Sequence, residues 1–151
     1  LWFFNSGPLA GASQPHRHIQ LLRRDPSELS CPREKWILDF DNVNYKNQRF
    51  YKNIILKKFS KTLNKENIHE IYKDLSYKLG LGEPEIDKKP RYPYNLIFTN
   101  HWMALIKRKT DNLYGISVNA LGFAGYILVT EKSDINYLKK IGPEKLLENF
   151  L

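Results

Sequence analysis

The chain has four histidines, and two of them, His16 and His18, stand two residues apart in the stretch GASQPHRHIQ. Gln20 continues the alternation, and Gly11, Ala12, Ser13 and Gln14 come shortly before it. Three readings suit this cluster. It could be an incidental or structural pair. It could be half of a metal site, which would want a third and fourth ligand; His69 and His101 lie far away in sequence, and no Cys, Asp or Glu spacing supports them. It could also be a nucleophile with its supports. A neutral imidazole is nucleophilic near pH 7. It can attack an α-phosphorus and hold the nucleotidyl group as a phosphoramidate. That chemistry needs donors for the non-bridging oxygens: backbone N–H groups of a small-residue loop, hydroxyls and amides. Gly11, Ala12, Ser13 and Gln14 provide such a loop, and Gln20 a further amide.

The elements around the cluster follow from hydrophobic pattern and turn residues. Residues 1–4, LWFF, read as a buried strand ended by the turn signal Asn5-Ser6-Gly7-Pro8. A strand over residues 16–22 would place His16, His18 and Gln20 on one face. Pro26, Ser27, Ser30 and Pro32 mark a loop, and WILDF reads as a short strand. Residues 45–59 carry Phe50, Ile54, Ile55 and Phe59 at helical spacing. A second helix, capped by Asn64, aligns Ile68, Ile71, Tyr72, Leu75 and Leu79, with Gly80 at its C′ position. YNLIFTNHWMALIKRK reads as two strands or one bent strand, KTDN as a hairpin turn, and LYGISVN as a further strand. Asn119 is placed to cap the segment after it. The last nineteen residues form two short helices parted by Gly142 and Pro143. Strands, then helices, then strands predict an α+β domain with an antiparallel sheet, spanning residues 1–151.

Composition limits the function classes. At 151 residues with 42% hydrophobic content, one domain can bury a core. The net charge of +8 favours an anionic partner, such as a nucleotide, a polyphosphate, nucleic acid or an acidic membrane surface. Many lysines fall in the amphipathic middle, where a solvated helix face accounts for them. The single cysteine, Cys31, excludes an intrachain disulfide and fits a reducing, cytoplasmic compartment. No apolar run approaches the roughly 20 residues that span a bilayer. The chain lacks an initiator methionine and opens inside an apolar run, so it is expected to be the C-terminal part of a longer protein.

At this point the sequence resembles a known family. NSGPLAGASQPHRHIQ is similar to the active-site segment of the nucleotidyltransferase branch of the histidine-triad superfamily. That branch includes galactose-1-phosphate uridylyltransferase and the ATP adenylyltransferases, also called diadenosine tetraphosphate phosphorylases. YNLIFTNHWMALIKRK and ISVNALGFAG resemble the C-terminal region of the second group. The resemblance implies a histidine-triad-like sheet with packed helices, and phosphorolysis of diadenosine tetraphosphate to ATP and ADP, and the reverse. His18 would be the nucleophile that becomes adenylylated, held by a hydrogen bond from His16. Gln20 would bind the transferred phosphate, Ser13 and Gln14 its oxygens, and Gly11 and Ala12 would shape the loop. Asn5 would position phosphates or ribose, and Asn119 would line the nucleotide site, unless it is only a helix cap. The hydrolase branch has a third histidine at the position of Gln20. A glutamine amide donates no proton to a leaving group, which favours transfer over hydrolysis. No metal is held by the protein; magnesium would come with the polyphosphate. The family's N-terminal half is expected to be lacking. If it is a separate chain, it should dock on the bare LWFF strand, the other association being a homo-oligomer.

Two further classes stay open. One is a nucleotide-binding module without catalysis, motivated by the lacking N-terminal half. The other is a basic RNA-binding domain, motivated by Arg23-Arg24, Lys57-Lys58 and Lys107-Arg108-Lys109, though no aromatic-basic RNA motif accompanies them.

Overall fold

Two apolar runs, YNLIF and WMALI, are buried throughout and form the centre of the fold. In the computed structural model, which describes residues 1–25, 27–39, 48–59 and 67–151, they are neighbouring antiparallel strands. The elements run β1 (Trp2–Asn5), β2 (Gln20–Leu21), α1 (Glu34–Leu38), α2 (Gln48–Asn53), β3 (Ile54–Lys58), α3 (Ile68–Lys78), β4 (Tyr94–Phe98), β5 (Trp102–Lys107), β6 (Asn112–Leu113), β7 (Ile116–Ser117), α4 (Ala120–Ala124) and α5 (Ile135–Glu148). A five-stranded antiparallel sheet has the order β2-β1-β4-β5-β3, and β6 and β7 form a separate hairpin. The expected α+β class with an antiparallel sheet is what the chain forms.

The sheet is covered on both sides, which explains the unbroken hydrophobicity of β4 and β5. Directly opposed residues of an antiparallel pair share a face. One face carries Phe3, Ile97, Ala104, Ile106 and Ile54 against Cys31, Ile37, α4, α5 and the C-terminal Phe150. The other carries Phe4, Leu96, Phe98, Met103 and Leu105 against Ile71, Leu75 and Leu79 of α3. Gly80, φ 72, follows α3 in the left-handed region as expected. Its N–H bonds the Tyr77 carbonyl at 2.9 Å and the Leu81 N–H bonds that of Ser76 at 2.9 Å, closing the helix end.

Several expected elements differ. WILDF is not a strand. Its first three residues close α1, because the Glu34 carboxylate bonds the Ser30 N–H at 2.9 Å and hydroxyl at 2.6 Å. Phe40 and Asn64 lie outside the described residues. The helical spacing of Ile54 and Ile55 is overridden. Both are in β3, on opposite faces, where they pair with Ile106 and Leu105; β-branched residues suit that half-buried ladder. KTDN is no hairpin turn, since β5 pairs with β3 and β4. LYGISVN is not one strand, because the hairpin turn is Tyr114-Gly115, both at positive φ, between β6 and β7. The LWFF strand is not bare either: β1 is paired on both sides, with β2 and β4. The end of the chain behaves as expected, as α5 breaks at Gly142, φ 78, next to Pro143.

Candidate active site

The histidines lie just ahead of β2. This strand has only two residues, Gln20 and Leu21, paired with Phe3 and Trp2. The alternation therefore does not extend through residues 16–19, and the expected shared face is not formed. Gln20 is opposite Phe3, on the face that also carries Asn5 and Asn95. His18 instead lines a cleft over the other face, with Phe4, Leu96, Phe98 and Met103 of the sheet and Tyr72 of α3. Two ladder pairs fix too little backbone to impose period-two geometry upstream.

Within the segment, His18 is held from behind. Its Nδ1 lies 3.2 Å from the His16 carbonyl oxygen. A carbonyl only accepts, so Nδ1 donates here, and in the neutral ring the lone pair is on Nε2. The hydrogen bond within the pair is thus made by the His16 backbone; the two rings lie 4.9 Å apart between centroids and are tilted by 45°. The cleft beside His18 holds about 460 Å³ and is almost wholly apolar in its sheet wall. Tyr94 and Tyr72 share a hydroxyl hydrogen bond of 2.7 Å at its edge. Burial, then the neighbouring Tyr72, pushes the Tyr94 phenol far above its ordinary range, so it is a neutral wall residue at pH 7.

The small-residue loop works differently from expectation. Its first N–H groups are used internally: Ala10 and Ala12 bond the Gly7 carbonyl at 2.9 and 3.1 Å, and Gly11 bonds that of Pro8 at 2.8 Å. Gly11 and Ala12 therefore offer no free backbone donor. Ser13 and Gln14 are exposed, so the donors the loop presents to solvent lie there.

Gly11 has another task. Its φ is 80, and a Cβ there would lie 2.8 Å from the Asn119 Cβ and 2.9 Å from the Val118 carbonyl oxygen. The loop of the histidine segment is thus pressed onto the start of α4. Asn119 caps that helix, its Oδ1 accepting from the Leu121 N–H at 2.9 Å. Gly11→Ala is expected to lower stability by about 2–4 kcal/mol, from left-handed strain plus overpacking against backbone. Urea unfolding checks this through a lower midpoint at unchanged slope.

Two residues that the sequence did not single out hold the junction together. Asn95, fully buried, donates through Nδ2 to Asn5 Oδ1 and to the Ala10 carbonyl, both at 2.7 Å. Asn5 Oδ1 also accepts the Ala120 N–H at 2.9 Å. Arg108, 3% exposed, donates Nη1 to Asn95 Oδ1 and Nη2 to the carbonyls of Thr110 at 2.7 Å and Val118 at 2.8 Å. Its guanidinium sits over Phe123 and Phe150 at 5.1 and 5.4 Å from the ring centroids. Burial lowers its pKa to about 10, against a smaller opposing pull from Asp111, so the charge persists at neutral pH. Arg108 is therefore a buried tie and not part of a surface RNA-binding cluster. The structure brings Asn5, Gly11 and Asn119 together and pairs His16 with His18. It leaves Gln20 and His18 on different faces.

The comparisons fit this geometry. Residues 37–150 match the ATP adenylyltransferase C-terminal domain, and residues 1–37 match the Ap4A phosphorylase N-terminal domain. The histidine segment thus falls in the match to the N-terminal domain. The fold is similar to the crystal structure of yeast Ap4A phosphorylase Apa2, with a TM-score of 0.63 and 17% identity over 99% of this chain and 53% of that one. It is also similar to the same yeast enzyme in complex with AMP, with a TM-score of 0.60 and 19% identity over 92% of this chain and 50% of that one. The chain spans about half the length of these solved structures. No curated protein sequence matches it. Among the described residues, no helix is long and apolar enough to cross a membrane. By its match over most of its length, the chain belongs to the ATP adenylyltransferase (Ap4A phosphorylase) family.

Proposed function

We propose that this chain carries the nucleotide-transfer site of a dinucleoside polyphosphate phosphorylase. It would cleave diadenosine tetraphosphate with phosphate to ATP and ADP, and run the reverse reaction. The observation that carries this reading is the His18 ring: Nδ1 on a backbone carbonyl, Nε2 free, and an apolar cleft of nucleoside size beside it. Such a ring attacks the α-phosphorus without first losing a proton, and the P–O bond to the polyphosphate breaks as the P–N bond forms. Ser13 and Gln14 then serve the non-bridging oxygens. Asn5 keeps its Nδ2 for ribose or phosphate while its Oδ1 is committed to the fold. Asn119, beyond its capping role, adjoins the loop through Gly11. Phosphate attacks the adenylyl group in the second step and returns His18 to its starting form.

Gln20 stands where a proton donor would favour water as acceptor. We keep it as the amide on the transferred phosphate, a role that its spacing two residues after His18 supports. Gln20→His is expected to raise AMP release by hydrolysis relative to phosphorolysis, measured as the product ratio at fixed phosphate. Magnesium enters with the substrate's phosphates. The basic surface also suits a phosphate-rich partner, and a cytoplasmic setting suits the chemistry.

A second reading, nucleotide binding without turnover, draws on the separation of His18 and Gln20 between the two faces. Initial-rate kinetics with dinucleotide and phosphate both varied decide between them. Parallel double-reciprocal lines are the expected outcome of a two-step transfer. Intersecting lines point to direct transfer without His18. Binding without any product establishes the second reading.

A further inference from the structure

Arg17, between the two histidines, lines three contiguous clefts. One is the apolar cleft of His18. A narrow one beside Tyr94 and Ser6 leads out of it. The third holds about 390 Å³ between residues 6–9 and residues 89–93. The third cleft has an unusual lining for a surface this rich in acids and bases. Arg17, Lys89 and Arg91 contribute three cations, and no carboxylate lines it. Lys107 adds a fourth cation nearby, 4.7 Å above the Tyr92 ring. Asp87, the acid nearest in sequence, lines the neighbouring narrow cleft. There its carboxylate is occupied by the Glu83 N–H at 2.8 Å and by Arg91 at 3.3 Å. Pro8, Pro90 and Pro93 stiffen the walls, so the cations are presented with little backbone freedom to lose.

Arg91 is partly neutralised by Asp87, but Arg17 and Lys89 meet no carboxylate in this cleft; like charges held together repel each other, and an anion that bridges them removes that repulsion. The geometry points to a polyphosphate groove here. A chain of phosphoryl groups lies along Arg17, Lys89 and Arg91, with its first phosphorus at His18 and the nucleoside in the apolar cleft. Arg17 is the hinge of this track because it alone of the three cations also lines the His18 cleft. This inference rests on the transfer reading for the direction of the chain, but the groove is testable without it. The same chemistry would take the tail of a nucleotide or a free inorganic polyphosphate.

Calorimetric titration with AMP, ATP and inorganic tripolyphosphate tests it, on the unaltered chain and on Arg17→Gln and Lys89→Gln. Both residues are exposed, so the fold is kept. ATP affinity is expected to fall about tenfold in each variant, the worth of one charge-assisted contact, while AMP affinity changes less than about twofold. An equal loss for tripolyphosphate means that any phosphate chain is recognised. A loss for ATP alone means that the groove serves only the tail of a bound nucleotide. Equal losses for AMP and ATP, or none for ATP, overturn the groove. The two claims fail separately. If His18 takes up an adenylyl group yet the variants bind ATP unchanged, transfer stands without the groove. If ATP depends on Arg17 and Lys89 but His18 is never adenylylated, the groove stands without transfer.

Discussion

His18→Ala is expected to lower phosphorolysis of diadenosine tetraphosphate by at least about a thousandfold, because it deletes the bond-forming atom rather than a support. The same substitution should leave the unfolding free energy from urea titration within about 0.5 kcal/mol of the parent, since His18 is a partly exposed side chain outside both core clusters. His16→Ala provides the contrast. The bond that orients His18 comes from the His16 backbone carbonyl, which alanine retains. Its loss should stay below about a hundredfold, the size of a small misplacement of the reacting ring. Steady-state rates of the two variants check the pair. Equal losses would mean that the ring of His16, and not its backbone, does the positioning.

Arg108→Met is expected to destabilise the fold by about 3–5 kcal/mol, because it strips the donor from several buried acceptors, each worth about 1–3 kcal/mol when left unsatisfied. The methionine fills the space over Phe123 and Phe150 but leaves Asn95 Oδ1 and the Thr110 and Val118 carbonyls without their donor. Those carbonyls flank the β6–β7 hairpin, and Asn95 holds Asn5 and Ala10. The damage should therefore reach the loop of the histidine segment. Arg108→Lys should recover little, because one ammonium cannot replace a fork that reaches in two directions. Thermal and urea unfolding of both variants check the magnitude. Hydrogen exchange at Gly11 and Ala12, whose N–H groups are bonded within that loop, checks the reach.

Much of this molecule can be read from its residues. The apolar runs of β4 and β5, the stripe of α3, its Gly80 stop and the break at Gly142 follow from local pattern, and the structure has them. Local pattern failed where a distant partner decided. Ile54 and Ile55 sit at helical spacing, but the exposed edge of β5 takes them as a strand. The Trp-Ile-Leu of WILDF looks extended until Glu34 reaches back to Ser30. The site divides in the same way. The order of His16, His18 and Gln20 marks the chemistry, whereas their faces depend on how far β2 pairs, which no local pattern encodes. Asn95 was hidden inside an apolar strand, and Arg108 inside a run of lysines. The signal that could have found them is an amide and a guanidinium placed in or directly after strands buried on both faces.

The most direct test is the intact mass of the chain after incubation with diadenosine tetraphosphate and magnesium without phosphate. The account predicts a gain of one adenylyl group, lost on adding phosphate, located by peptide mapping on His18 and not formed in His18→Ala. No gain in mass in a preparation that goes on to make ATP and ADP once phosphate is added, or a gain that persists in His18→Ala, would contradict it.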